Sequence, residues 1–74
     1  MDLSKIKSFI HKRHVPINAL ANELSMSRQS LYLKLNGMRD FKIDEISQMA
    51  IALRMTPSEV LDIFFNMEVT NNGQ

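Results

Sequence analysis

The stretch from Ile17 to Gly37, INALANELSMSRQSLYLKLNG, leaves a chain few ways to fold. Leu20, Ala21 and Leu24 stand at helical spacing, Ser25-Met26-Ser27 interrupts them, and Leu31 and Leu35 resume the spacing beyond the break. Two short helices joined by a turn of three or four residues must pack at a steep angle, which needs a small side chain where they cross. Ala21 supplies it, and Leu20, Leu24, Met26, Leu31 and Leu35 are spaced to fill the wedge between the two helices. Ser27 is placed to cap the second helix by accepting a bond from a free backbone N–H. Gly37 is placed to stop it, as glycine does after a last helical turn.

Apolar spacing extends the helical reading over most of the chain. Leu3, Ile6, Phe9 and Ile10 form one stripe, with Lys5, Ser8, His11 and Lys12 mostly off it. Pro16 ends that segment, because proline disfavours helix in the residue before it. Ile43, Ile46, Met49, Ala50 and Leu53 make another stripe. Asp44 and Glu45 fall in its first turn, where carboxylates meet the positive end of the helix dipole. Thr56-Pro57-Ser58-Glu59 then marks a helix start. Threonine caps, proline takes the first helical position, and Glu59 reaches back to complete a capping box. Val60, Leu61, Phe64 and Phe65 follow on that last helix, and no segment alternates with period two long enough to argue a strand. The expected architecture is all-α, a single five-helix domain over residues 1–66. A flexible polar tail is expected over residues 67–74, ending in Thr70-Asn71-Asn72-Gly73-Gln74.

Seventy-four residues make one small domain, with no room for a second core or a catalytic cleft of its own. The chain has no cysteine, so no disulfide staples it and no thiolate binds zinc, which fits a reducing compartment. No apolar run approaches the roughly 20 residues of a membrane span. The N-terminus has Lys5 and Lys7 but no apolar signal-peptide core. A soluble, intracellular protein is therefore expected, with no membrane partner. Net charge is only +1, but its distribution is uneven. Residues 1–42 hold eight basic side chains against three acidic ones, and residues 43–74 hold one against five. A basic half facing phosphate and an acidic half facing away is a workable layout for binding nucleic acid. Charges scattered over solvated helices are the alternative.

Other chemistries find little purchase. No Ser/His/Asp arrangement, glycine-rich phosphate loop or paired-carboxylate site stands out, so an enzyme is not expected. His11 and His14, three apart, lack an evident third ligand. Neither a metal nor another cofactor is expected. A basic face of the first helix near phosphate, or plain solvent exposure, accounts for them more simply. Six methionines read as adaptable core filler.

The central stretch resembles the Cro/cI-type helix-turn-helix of phage repressors. Leu20-Ala21, Ser25-Met26-Ser27, Leu31 and Asn36-Gly37 carry the likeness. They match the family's Leu-Ala, its turn of Gly-hydrophobic-Ser, its aliphatic residue four after that Ser, and its Asn-Gly. The later ISQMAIALRMTPSEVLDIFF is similar to the family's fourth and fifth helices, so the resemblance spans roughly residues 3–65. It implies a lambda-repressor-like DNA-binding fold and a sequence-specific transcriptional regulator in a bacterial cytoplasm. Such a regulator would sit as a homodimer on a palindromic double-stranded DNA operator. There are two departures. Where the family begins its second helix with a Gln that contacts phosphate and braces the reading helix, this chain has Ile17, with Asn18 next to it. Ser25 takes the place of the usual turn glycine, at a strain of about 1–2 kcal/mol if that position needs positive φ.

On a helix starting near Ser27, Leu31 and Leu35 share the core face, while Arg28, Gln29, Tyr32, Leu33 and Asn36 point the other way. The resemblance places base-reading residues there. Arg28 has two donors for a guanine and Gln29 suits an adenine. Tyr32 would meet a phosphate, sugar or base, and Leu33 a thymine methyl. Asn18, Ser27, Ser30, Lys34, Asn36 and Arg39 are the candidates for backbone contact, which positions without reading. Phe64, Phe65 and Met67 are candidates for the dimer contact, unless both phenylalanines complete the core against the first helix. A second reading stays open. Tyr32 and Leu33 would equally form a patch that docks onto a phage repressor and blocks its DNA-binding surface, making the protein an antirepressor.

Overall fold

The computed structural model describes residues 1–67, so the expected polar tail lies, past Met67, outside the described residues. Five helices follow one another: α1 (Leu3–Lys12), α2 (Ile17–Glu23), α3 (Arg28–Leu35), α4 (Ile43–Ala52) and α5 (Pro57–Phe65). Among the described residues there is no strand and no helix long and apolar enough to cross a membrane. The domain is all-α, with α2 and α3 as its helix-turn-helix.

Each helix start has a local cause. Asp2 caps α1 by accepting from the Lys5 amide at 3.1 Å, and its own amide donates to the Ile63 carbonyl at 2.7 Å, fastening the chain's beginning to α5. Ser27 caps α3, its Oγ accepting from the Ser30 amide at 3.0 Å. At α5 the Glu59 amide donates to Thr56 Oγ1 at 3.2 Å and the Thr56 amide to Glu59 Oε1 at 2.8 Å, with Pro57 in the first helical position. That is a complete capping box. Helix α4 has half of one. Glu45 Oε1 accepts from the Lys42 amide at 2.9 Å, and a lysine side chain has no acceptor to return the favour.

The helix ends share a closure that the sequence only partly advertises. Beyond α1, α2, α3 and α4 stand His14, Ser25, Gly37 and Arg54, all with φ between 55 and 79°. In each case the next amide donates back to a carbonyl inside the helix: Val15 to Ile10, Met26 to Ala21, Met38 to Leu33, Met55 to Ala50. This left-handed closure satisfies carbonyls that would otherwise be orphaned. Only one of the four residues is glycine. Ser25→Gly removes the crowding of Cβ against the following carbonyl and is expected to add about 1 kcal/mol of stability. Thermal unfolding would show this as a rise of roughly 4–8 °C. A midpoint that stays put or falls would mean the left-handed serine carries no strain here.

The core is built from α1 to α5 alike. Ile6, Leu20, Leu31, Met49 and Leu53 are wholly buried, and Ala21 is buried as the steep crossing requires. Helix α2 packs on α3 and α4, while α1 packs on α3 and α5. Phe41, from the loop between α3 and α4, also reaches the core.

Three apolar positions depart from the expected stripes. Ile43 is 70% exposed, because α4 meets the core only from Ile46 onward. In α5 the buried pair is Ile63 and Phe64, three and four residues after half-buried Val60. Phe65 sits about 100° further round the helix and is 47% exposed. Phe64, expected as a dimer contact, is therefore a core residue. Phe65 and Met67 remain exposed.

Candidate nucleic-acid interface

Helix α3 sorts its side chains by rotation. Leu31 and Leu35 are buried, as their four-residue spacing dictates, and Arg28, Gln29, Tyr32 and Asn36 are exposed on the other side. Leu33 and Ser30 are half-buried at the edges of that outer face. Leu33 thus offers only part of its surface to a partner. Ser27 stands exposed at the helix start; its oxygen accepts the capping bond, and its hydroxyl proton is still available to an acceptor.

Two side chains from other helices join this outer face. Arg28 Nη1 donates to Asn18 Oδ1 across a long 3.5 Å. Ile17 is half-buried, so the contact between α2 and the outer face of α3 passes through the exposed side chain one residue later. At the other end of α3, Lys7 Nζ of α1 donates to Asn36 Oδ1 at 2.8 Å. Sequence reasoning missed Lys7. Its only signal was a place off the apolar stripe of α1, and nothing local says that α1 passes beside the end of α3. Lys7, Tyr32 and Asn36 rim a cleft of about 290 Å³ floored by Ile10, Ile17 and Leu35. Arg39 is exposed in the loop that follows.

Lys34 requires a correction. It was expected among the phosphate contacts, but it is only 9% exposed, and its Nζ lies 2.6 and 2.7 Å from the two carboxylate oxygens of Glu45. The physical reason was available in the spacing. Residue 34 is three after Leu31 and beside Leu35, so it rotates toward the core whatever its charge. Burial pushes the Glu45 carboxyl up. Hydrogen bonds from the Lys34 ammonium and the Lys42 amide, with the attraction of both lysines, outweigh this and hold it below the usual carboxylate range.

The division of charge is also less complete in space than along the chain. Lys5 of α1 pairs with Asp62 of α5 at 3.0 Å, so part of the basic half is spent on the acidic half. Lys12 and Arg13 lie against the Phe9 ring, 6.0 and 5.1 Å from its centroid, and the hydrogen bond from the Thr56 amide holds Glu59 below its usual range, with the charges of Arg13 and Lys12 adding a little. The cations left beside the outer face of α3 are Arg28 at its start and Lys7 at its end, with Arg39 in the loop after it.

The arrangement is an exposed helix face with one fork-shaped cation, one amide and one phenol, flanked by hydroxyls and amides suited to phosphate oxygens. Residues 5–66 match the model of the family described as the Cro/C1-type HTH DNA-binding domain. No curated protein and no solved structure matches the chain.

Proposed function

The chain belongs to the Cro/C1-type helix-turn-helix DNA-binding domains, a family of DNA-binding regulators, and from that premise we propose that it regulates transcription as a phage Cro-type protein in a bacterial cytoplasm. The observation that carries this reading is the outer face of α3, where Arg28 and Gln29 stand exposed at the helix start with Asn18 beside Arg28. A reading helix contacts base edges with its N-terminal residues in the major groove. Arg28 is the guanine reader through O6 and N7, and Gln29 the adenine reader through N6 and N7. Tyr32 and the exposed part of Leu33 make apolar contact with a sugar or a thymine methyl. Ser27, Ser30, Asn18, Asn36 and Arg39 hold the backbone.

One such domain reads few base pairs, so two copies act across a palindromic operator as a homodimer. Phe65 and Met67, both about half exposed near the end of α5, supply the contact between them. Selection of duplexes from a randomised pool by the purified protein tests the proposal. One enriched sequence with two half-sites about 10 base pairs apart is the expected product. Weak binding that ignores sequence and fades as salt rises would sink it, because charge alone produces that behaviour.

A second reading is favoured by one observation. With Lys34 turned inward, α3 itself contributes a single cation, Arg28, and an exposed tyrosine to its outer face. Such a face also suits a protein partner, and the antirepressor role, in which α3 covers the DNA-binding surface of a phage repressor, rests on it.

A further inference from the structure

We propose that Lys34 and Glu45 form a positioning device that fixes the reading helix and the loop after it as one unit for DNA. The inference rests on the DNA-binding reading above and gives Lys34 a role without contact to nucleic acid.

Three observations carry it. First, the pair is largely shielded from solvent and two-pronged. Lys34 is in the last turn of α3 and Glu45 in the first turn of α4, their side chains are 10 and 13% exposed, and one ammonium meets both oxygens of one carboxylate. Second, Glu45 holds three points at once. Its Oε1 also accepts the Lys42 amide at 2.9 Å, so the carboxylate ties the end of α3, the end of the loop and the start of α4 together. Third, α3 and α4 each pack mainly on α2 rather than on one another, which leaves this pair as a direct side-chain tie between them. The loop that it closes, from Asn36 to Lys42, contains Arg39.

The physical consequence concerns arrangement more than stability. A buried ion pair gains back in attraction little more than it loses in desolvation, so an apolar pair of similar volume often folds as well. Its geometry is demanding, however, since an ammonium moved off its carboxylate is a buried charge without a partner. Leucine or methionine at residue 34 would tolerate small rotations of α3 about its axis. Lysine bound to Glu45 would not. Rotation about that axis sets where Arg28 and Gln29 point, and the same tie sets how far Arg39 stands from them. Base readers and backbone contact are thereby held in one register.

Two roles for Lys34 predict opposite results in Glu45→Gln, which retains an oxygen for the Lys42 amide and so leaves the cap of α4 in place. If Lys34 were a phosphate contact restrained by Glu45, the change would release it. Affinity for DNA would then rise, and the slope of log K against log salt would steepen by about one phosphate. Under the positioning role, affinity for the duplex selected from the randomised pool falls at least about tenfold, and the salt slope is unchanged. The double variant Lys34→Met with Glu45→Gln removes the buried charge altogether and guards against simple unfolding. Its thermal midpoint should stay within a few degrees of the parent, while its preference for the selected duplex over a scrambled one drops by a similar factor. Lys34→Arg alone, which keeps a cation able to grip the Glu45 carboxylate, should retain most of that preference.

Parental affinity in the folded double variant would overturn the proposal, as would a steeper salt slope in Glu45→Gln. The tie also has a readout that needs no DNA. Amide exchange across residues 36–42 should quicken in the double variant at unchanged global stability. Failure of the unaltered protein to select any duplex would defeat the DNA reading by itself, and this exchange arm would still decide whether Lys34 and Glu45 hold the loop.

Discussion

Leu31→Ala is expected to remove a large part of the domain's stability. Leu31 has no exposed surface and stands in the wedge between α2 and α3, the contact on which the helix-turn-helix depends. Truncating a leucine in such a place removes its transfer free energy and leaves a cavity, at about 2–5 kcal/mol. A chain this short has little stability to lose, since small domains bury a smaller fraction of their surface and sit near the lower end of about 5–15 kcal/mol. Urea unfolding followed by circular dichroism would show the midpoint falling sharply with the slope unchanged. Tyr32→Ala, one residue along the same helix, is the control. Tyr32 is 46% exposed, and its loss should move stability by no more than about 0.5 kcal/mol. Equal losses at residues 31 and 32 would refute the division of α3 into an inner and an outer face.

Arg28→Ala and Gln29→Ala carry the largest expected effects on binding. Each should cost about 1–3 kcal/mol against the selected duplex and relax preference at its own base position, without changing the melting temperature. Arg28 should lose more, because its removal also frees Asn18 from the contact that now spans 3.5 Å. Asn18→Ala alone should weaken binding less than Arg28→Ala, and adding it to Arg28→Ala should cost less than its effect in the parent, since the two changes share one interaction. Competition binding with single-base variants of the duplex would measure both points. Should Leu33→Asp abolish function while these three variants retain it, the target of α3 is a protein surface, and the antirepressor reading takes over.

The two faces of α3 show how far a sequence can be trusted for a site. The burial of Leu31 and Leu35 and the exposure of Arg28 and Gln29 follow from their spacing, and that division was legible. Lys34 lies where spacing and chemistry disagree. Its charge argued for phosphate and its position argued for the core, and position prevailed because Glu45 arrives from α4 to take the charge. The same conflict runs through α5, where Phe64 and Phe65 are chemically identical and only the rotation of one residue decides which is covered.

What the sequence determined by itself is the set of boundaries. The caps at Ser27 and Thr56 and the stop at Gly37 depend on hydrogen bonds that close within a few residues, and the turn at Ser25-Met26-Ser27 breaks the helical spacing beside them. Such local arrangements form wherever the residues stand in that order. The tertiary structure decided what the sequence left open. It brought Lys7 to Asn36 across 29 positions and Lys5 to Asp62 across 57, turned Lys34 inward, and left Ile43 and Phe65 without cover. Each of these depends on which surface comes to lie against which, and that is set by five helices packing on one core, not by any residue's immediate neighbours.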